Sequence, residues 1–403
     1  MFNTDHIQTT HVGSLPRRED VAAGLFAREH GQDFDPAAFR ACLDDAVNAI
    51  VARQRAVGID LPSDGELGKI SYATYIKDRL TGFDGDSPRR PPADLADFPD
   101  YLKKLAESGG TPTYRSPRCV GPIAVKDTGP LDEDIARFRS ALEKTGFSGG
   151  FMNSASPGVI AQFQPSDIHP DHESYVRDLG AAMRTEYETI AAAGLTLQID
   201  APDLALGRHV LFAQLEDEAF LRIAEMHVEV INEALTDVPR EQVRLHICWG
   251  NYEGPHTHDI AMEKVLPVLL KVKAGGLLFE TANPRHGHEW RAWRDADLPD
   301  DLVLIPGVID STTNYVEHPR NVADRILRFA DIVGRERVIA GTDCGFSTFA
   351  GYGVVDPEIV FAKLRALAEG AAIASEELFC PFCLYLSEGE LRLKKDPVVL
   401  AGA

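Results

Sequence analysis

The chain has 403 residues, of which 44% are hydrophobic, so it is long enough for one large barrel or for two ordinary domains with sizeable cores. Its net charge of −21 argues against nucleic-acid binding, because neutralising phosphates requires clustered Lys and Arg. The sequence has no apolar stretch of about 18 residues that would predict a membrane span, and it begins without a basic and then apolar signal, so we expect a cytoplasmic protein.

Eight short apolar segments that end in polar residues predict the strands of a parallel sheet. In chain order they are 9–14, 59–66, 149–154, 195–200, 243–248, 276–281, 302–310 and 338–344. Apolar residues at three-to-four spacing predict helices between many of them, at 37–57, 171–193, 220–235, 262–273 and 321–333. This alternation indicates an α/β fold with right-handed crossovers, and eight units predict a (β/α)₈ TIM-type barrel. The alternative is an open doubly wound sheet, but no glycine fingerprint follows the first strand.

One region departs from the alternation. Residues 81–130 are rich in Pro, Gly and Asp, and we interpret them as an irregular insertion between early strands, with a hairpin at 118–125 and a short helix at 101–108. Without a visible linker, residues 1–403 are expected to form one catalytic barrel domain.

Polar residues gather at the predicted C-terminal strand ends, where a barrel of this class builds its site. They are Ser14, Asp64, Glu66, Asp200, His246, Cys248, Glu280, Asp310, Asp343 and Cys344. His246 and Cys248 form an H-x-C unit, and residues i and i+2 of a strand point to the same face. Together with Glu280 and Cys344 they give a nitrogen, two sulfurs and an oxygen, a set that suits tetrahedral Zn²⁺.

The ordered motifs resemble the catalytic C-terminal barrel of the cobalamin-independent methionine synthase family, over most of the chain. The motifs that carry this resemblance are THVGSLPR at 10–17, DGE at 64–66, QIDAP at 198–202, HIC at 246–248, FET at 279–281, PGVID at 306–310 and DCG at 343–345. The resemblance implies a methionine synthase/uroporphyrinogen decarboxylase-like barrel.

The resemblance also implies roles for individual residues. Zinc would be bound by His246, Cys248, Glu280 and Cys344, which match the family's ligands. The acceptor, homocysteine, would bind zinc through its sulfur, and Ser14, Glu66 and Asp200 would hold its amino-acid part. Carboxylates suit an ammonium group, and a hydroxyl suits a carboxylate.

The part of the family pattern that binds the methyl donor is altered in this sequence. The family's His after the Asp of the seventh strand is replaced by Ser311, which follows Asp310, and Phe163 is an approximate substitute for a folate-stacking Trp. The second, N-terminal barrel of the full-length synthase has no counterpart. The prediction is a zinc-dependent thiol alkyltransferase that methylates homocysteine or a related thiol, with a folate, a corrinoid or an epoxide as the alkyl donor.

Several side chains are candidates to assist the reaction. Zinc lowers the pKa of a bound thiol, so that the thiolate can attack an activated carbon. Asp310 and Asp343 are expected to orient the ligands. His11, His256 and His258 are candidate proton donors to the leaving group, and His11 lies within the first motif.

Two other functions remain open at this stage. Single-barrel epoxyalkane:coenzyme M transferases open an epoxide with a thiolate, and Arg17 and Arg18 are candidates to bind the sulfonate of coenzyme M. The other alternative is a non-catalytic relative that binds a thiol without turnover. A metal-free lyase of the uroporphyrinogen decarboxylase group is a third reading, against which the Cys and Glu ligands count.

Two further patterns involve cysteines and histidines outside the predicted zinc ligands. Cys380 and Cys383 form a C-x-x-C unit without a second pair, which is more typical of packing than of metal binding. Four histidines lie in two loops at the predicted active face, where they would contact substrate or, as the weaker alternative, bind a second metal. They are His256, His258, His286 and His288.

Overall fold

A computed structural model describes residues 5–88, 90–107, 115–379, 384–387 and 390–393, so Cys380 and Cys383 lie outside the described residues. The strands, in chain order, are β1 (Phe83–Asp84), β2 (Arg118–Cys119), β3 (Phe151–Ala155), β4 (Thr196–Asp200), β5 (Val243–His246), β6 (Gly276–Phe279), β7 (Val303–Ile309), β8 (Gly341–Thr342), β9 (Leu384–Ser387) and β10 (Glu390–Leu393). Strands β3 to β8 form one parallel sheet in sequence order, as predicted.

Helices connect these strands and cover the outside of the sheet. They are α1 (Glu19–Glu29), α2 (Pro36–Ala56), α3 (Ala93–Ala96), α4 (Pro99–Glu107), α5 (Gly129–Thr145), α6 (Pro157–Phe163), α7 (His172–Ala192), α8 (Gly207–Val210), α9 (Asp217–Ala234), α10 (Met262–Leu269), α11 (Trp290–Asp295), α12 (Pro319–Val333) and α13 (Pro357–Phe379). The five predicted helices are present with shifted ends. Over the described residues, we find no helix long and apolar enough to cross a membrane.

Two irregular segments close the sheet into an eight-membered ring. Ala340 next to β8 exchanges backbone hydrogen bonds with the first segment, from Thr10 N to its O and from its N to Gln8 O, both 2.8 Å. Leu61 N then donates to Thr9 O at 3.0 Å, and Phe151 N of β3 donates to Pro62 O at 3.0 Å. The predicted TIM-type barrel is therefore confirmed, although its first member contains only an isolated bridge and its second member is joined by single hydrogen bonds without an assigned strand.

Local chemistry explains where the main helices begin. The Asp35 side chain accepts hydrogen bonds from the first turn of α2, and Asp171 does the same for α7. Ser156 Oγ accepts from Val159 N and starts α6 directly after β3, with Pro157 at the first helical position. These short strand-to-helix connections hold the C-terminal strand ends at one face of the barrel.

The insertion folds differently from the prediction in one respect. The short helix is present as α4, but the predicted hairpin at 118–125 is wrong, because β2 pairs antiparallel with β1 across the whole insertion. Val125 forms its own antiparallel bridge with Leu80. The two ends of the insertion are thus tied to each other, so the insertion stands as a unit over the barrel.

Candidate metal centre and cavity

Three of the four predicted zinc ligands meet at the C-terminal face of the barrel. The ligand atoms of His246, Cys248 and Cys344 all lie within 4.8 Å of one another, and all three side chains are buried. The two sulfurs are 4.0 Å apart. His246 ends β5 and Cys248 follows in phase, while Cys344 follows β8, on the far side of the ring of strands.

A neighbouring carboxylate orients the imidazole of His246. Asp200 Oδ1, at the end of β4, lies 3.2 Å from His246 Nδ1. Asp200 also accepts hydrogen bonds from the side-chain amides of Asn153 and Gln198, at 2.8 and 2.7 Å, so its position is fixed. Nδ1 is therefore occupied, and the buried Nε2 has no hydrogen-bond partner among the described residues. Nε2 is the nitrogen that a metal ion would use.

The charges within the cluster favour an ionised thiol. The hydrogen bond from Cys344 and the neighbouring His246 lower the pKa of the Cys248 thiol to about 5, against the opposing effect of burial. Burial opposes charge on His246, but Asp200 and Cys248 raise its imidazole pKa to about 10. The pKa of the Cys344 thiol is raised well above its usual range by Cys248 and by burial. The charges around Cys248 therefore favour its thiolate form.

Glu280, the fourth predicted ligand, lies beside this group but outside the 4.8 Å set. Its Oε1 accepts from the Trp249 backbone N at 3.0 Å, and its Oε2 accepts from Asn283 Nδ2 at 2.7 Å. Burial, with the Cys248 charge as a smaller contribution, raises its pKa to about 8. Ligation by Glu280 stays a prediction that requires its carboxylate to exchange one of these hydrogen bonds for the metal.

The two aspartates predicted to orient ligands hold backbone loops. Asp343 accepts from the backbone N–H groups of Thr281, Ala282 and Asn283 at 2.8–2.9 Å. It thereby fixes the loop that follows Glu280. Asp310 accepts from Thr312 N at 2.9 Å and from two threonine hydroxyls. Both side chains are buried, and the direct contacts of Asp343 connect the strand ends that bear Glu280 and Cys344.

His11 is buried away from the cavity. Its Nε2 lies 2.7 Å from Gln54 Oε1, and its Nδ1 accepts from Gly13 N at 3.1 Å. Both ring nitrogens are therefore occupied, and burial lowers the imidazole pKa to about 4. This environment is that of a neutral imidazole that supports the first loop, so a role as proton donor would require a rearrangement.

A cavity of about 400 Å³ opens above the three clustered ligands. His246, Cys248 and Cys344 form part of its lining, together with Ser14, Glu66 and Asp200. The residues predicted to bind metal and acceptor thus share one cavity, with the exception of Glu280.

The outer part of the cavity is apolar and aromatic. Phe163 at the end of α6 lies edge-on to Tyr72, with ring centroids 5.6 Å apart, and Tyr72 in turn contacts Phe349 at 5.8 Å. The insertion adds Leu102 and Leu105 of α4. These contributions of the insertion were not predicted from the sequence, where the amphipathic pattern of α4 was their only signal.

The predicted acceptor residues lie against the loop that follows Cys344. Ser347 N lies 3.4 Å from Ser14 Oγ, and a side chain at Gly345 would collide with that oxygen. Glu66 is buried with a positive φ of 55°, a conformation that non-glycine residues rarely adopt. Its Oε2 has no hydrogen-bond partner among the described residues and lies 3.5 Å from Lys69 Nζ.

The two arginines considered as a sulfonate site are engaged elsewhere. Arg17 is half-buried and donates to the backbone carbonyls of Ser347, Glu66 and Lys69 at 2.6–2.9 Å. Arg18 lies on the surface with Asp20 and Asp45. Arg17 therefore braces the loops around the cavity and does not offer a free cation to a ligand.

Comparisons with known proteins agree with this architecture. The family model for the catalytic domain of cobalamin-independent synthase matches residues 108–367. A methionine synthase of Saccharolobus solfataricus is 25% identical over 382 residues, which cover 92% of this chain and 96% of that protein. A methionine synthase of Thermococcus kodakarensis is 25% identical over 378 residues, with 92% and 94% covered. The solved B12-independent methionine synthase of Shewanella sp. W3-18-1 has a TM-score of 0.70 at 20% identity, over 93% of this chain and 99% of that one.

Proposed function

This chain belongs to the family of cobalamin-independent synthase catalytic domains, and we propose that it is a zinc-dependent methyltransferase that methylates the sulfur of homocysteine or a closely related amino-acid thiol. One observation carries the proposal. An imidazole and two thiols with ligand atoms within 4.8 Å line the same cavity as two buried carboxylates. Such a cavity suits a ligand that has a thiol at one end and an ammonium group at the other.

The side chains present fit a zinc ion. Two sulfurs and the unpartnered Nε2 of His246 are the donors that zinc prefers, and Asp200 supplies the outer carboxylate that such an imidazole needs. Glu280 is proposed as the fourth ligand. When bound, zinc supplies the positive charge that lowers the pKa of an incoming thiol. Binding of zinc requires that the His246 imidazole and the Cys344 thiol each lose a proton, so we expect metal binding to release protons.

The amino-acid end of the acceptor has matching groups in the cavity. Glu66 and Asp200 would receive the ammonium group, since both carboxylates are buried and Glu66 Oε2 has no hydrogen-bond partner among the described residues. Ser14 Oγ and the Ser347 N–H beside it would receive the carboxylate. Arg17 keeps these groups in place by binding the carbonyls of both loops.

The reaction forms a sulfur–carbon bond while the bond between the methyl group and its carrier breaks, and the proton lost by the thiol balances the one gained by the carrier. The barrel contributes by holding sulfur and methyl group in line and by excluding water. Among folate, corrinoid and epoxide donors we favour folate, because the aromatic wall of Tyr72, Phe163 and Phe349 suits a flat ring.

The alternative functions have less support. Thiol addition to an epoxide with coenzyme M as acceptor has less support, since neither arginine predicted to bind its sulfonate is available: Arg17 binds backbone carbonyls and Arg18 faces solvent. A non-catalytic thiol-binding relative would have no need of the open aromatic region beside the sulfur site. We therefore rank methyl transfer to an amino-acid thiol first.

The test combines metal analysis with a panel of acceptors and donors. Protein purified without chelators is analysed for zinc and then assayed with homocysteine or coenzyme M, each combined with methyltetrahydrofolate, a methylated corrinoid or an epoxide. The proposal expects zinc in the protein and S-methylation of homocysteine. Turnover of coenzyme M alone would favour the epoxide reaction, and thiol binding without turnover would favour the non-catalytic relative.

Replacing Phe163 should affect the donor and leave the metal in place. We expect Phe163→Ala to raise the KM for the methyl donor about tenfold, the value of one lost aromatic contact of about 1.4 kcal/mol. Zinc content and the KM for homocysteine should stay at wild-type values. Phe34→Ala is the control, since Phe34 is also half-buried and edge-on to another ring, Phe39, but lies outside the cavity. Loss of zinc in Phe163→Ala would contradict this assignment.

A further inference from the structure

Three histidines and one aspartate meet in a second cluster, behind the lining of the cavity. Asp259 Oδ2 lies 3.0 Å from His256 Nδ1 and 3.0 Å from His286 Nε2. Its other oxygen lies 3.4 Å from Nδ1 of His209, which comes from α8. The Asp259 side chain is 2% exposed and His209 is 1% exposed, so the centre of the cluster is closed to water. The cluster thus joins α8 to the loops that follow β5 and β6.

The outer nitrogens of two of these rings are already held by acceptors. His286 Nδ1 lies 2.8 Å from Glu289 Oε2, and His256 Nε2 lies 3.1 Å from the Tyr252 carbonyl. An acceptor on the outer nitrogen fixes the proton there and leaves the inner nitrogen free to bind a metal, which is the arrangement found around metal-binding histidines. Both inner nitrogens point at the same carboxylate oxygen.

The protons in this cluster match the charge of a divalent cation. Two imidazole nitrogens lie 3.0 Å from Asp259 Oδ2, and an ionised Asp259 would accept a proton from each of them. A divalent cation that replaces these two inner protons leaves the total charge of the cluster unchanged.

Buried polar atoms remain unsatisfied at the same place. His209 Nδ1 and Nε2 and Asp259 Oδ1 are buried and have no hydrogen-bond partner among the described residues. An unsatisfied buried polar group costs about 1–3 kcal/mol, so three such atoms side by side call for a ligand. The backbone of His256 is also strained, with a φ of 51°, as is common where a side chain is held for binding.

We propose that His209, His256, Asp259 and His286 bind a second divalent cation of the zinc type. Three imidazole nitrogens and one carboxylate oxygen form a donor set that suits zinc. The site is separate from the cavity, because none of the four residues lines it. Trp249 lies between the two clusters, since it follows Cys248 and its ring stacks on His286 at 4.1 Å. The second cation would clamp the loop that carries Trp249 and Tyr252.

The experiment isolates this site by removing the first one. The Cys248→Ser/Cys344→Ser variant, freed of metal, is titrated with Zn²⁺ or Co²⁺ while Tm and bound metal are measured. We expect one cation per chain, a rise in Tm and a Co²⁺ spectrum without sulfur-to-metal charge transfer. His209→Gln in this background should lose the cation, and it removes no hydrogen bond among the described residues. Asp203→Asn controls for the loss of a buried histidine–aspartate contact as such. Asp203 is buried and pairs with His227 at 2.8 Å, and this variant should bind metal normally.

A second measurement covers the case in which the double variant does not fold. In the otherwise wild-type chain we expect two cations, of which Asp259→Asn loses one while the cobalt–thiolate absorption of the other persists. A single cation in both the wild-type chain and Asp259→Asn would overturn the proposal. Absence of metal binding by a folded Cys248→Ser/Cys344→Ser variant would also overturn it. These results do not depend on methyltransferase activity, so failure of the proposed function would be seen separately.

Discussion

Cys344→Ala is expected to abolish stable zinc binding and to lower kcat/KM for methyl transfer about 1000-fold or more, which corresponds to about 4 kcal/mol of transition-state stabilisation. The variant removes one of two sulfurs that lie 4.0 Å apart, so His246 and Cys248 alone would remain of the clustered ligands. It also removes the hydrogen bond that is the largest cause of the low Cys248 pKa. Zinc content by mass spectrometry and steady-state kinetics with homocysteine measure the two effects.

Cys119→Ala controls for the loss of a buried thiol as such. Cys119 is fully buried in β2, its thiol donates to the Gly121 carbonyl, and it does not line the cavity. This variant should keep its zinc and its activity. An active Cys344→Ala protein without zinc would disprove the role of metal in the reaction, and one with full zinc content would remove Cys344 from the ligand set.

The barrel was predictable because the pattern that defines it is local. Strands β3 to β8 are buried except at half-buried Thr196, the first residue of β4, and most are short, largely apolar runs that end where helix-forming residues begin. The first two members of the ring are harder to place. Thr9 N donates to Asp60 Oδ2 at 2.9 Å, so a side chain takes over part of the ladder there. Such a substitution of side chain for backbone leaves no periodic signal.

The metal cluster was predictable only where periodicity applied. His246 and Cys248 are two residues apart at a strand end, and the two-residue period places them together, as observed. The approach of Cys344 depends on closure of the ring, which sequence indicates only through the count of strands. The orientation of Glu280 depends on local competition, because Trp249 N and Asn283 Nδ2 each take one of its oxygens. No spacing rule contains that information.

The features that were not predicted depend on contacts between residues that are far apart in the sequence. The insertion is closed by β1 and β2, whose first residues, Phe83 and Arg118, are 35 positions apart, and neither two-residue strand has a pattern of its own. In the second cluster, the loop histidines His256 and His286 were recognisable as candidates. Their partners Asp259 and His209 were not, because one is a common residue in a loop and the other comes from a separate helix.

Glu66→Gln is expected to lower kcat/KM for homocysteine about 100-fold, or about 3 kcal/mol, mainly through KM, because the ammonium group would lose a buried charged partner. The geometry isolates this role. Glu66 lines the cavity, its Oε2 has no hydrogen-bond partner among the described residues, and the nearest cation, Lys69 Nζ, is 3.5 Å away and donates to the Asn153 carbonyl. Zinc content should not change, since Glu66 is not among the proposed ligands.

The pH dependence of the KM for homocysteine gives this prediction a second readout. Burial raises the pKa of Glu66 to about 7, with Lys69 opposing and Asp200 adding to the shift. The carboxylate is therefore charged above about pH 7 and neutral below it, so the KM for homocysteine should fall as pH rises through about 7. In Glu66→Gln this pH dependence should be absent, because glutamine does not titrate.

A second substrate and a second variant serve as controls for the loss of kcat/KM in Glu66→Gln. For 4-mercaptobutanoate, which is homocysteine without its amino group, Glu66→Gln and wild type should have similar kcat/KM, because no ammonium group meets the carboxylate. Glu29→Gln is the matched variant, since Glu29 is also a buried glutamate and pairs with Lys77 at 2.8 Å, but lies outside the cavity. An equal loss for both thiols would mean that Glu66 supports the loop and does not recognise the acceptor. A loss confined to homocysteine would place the ammonium group at Glu66, beside Asp200 and above the sulfur site.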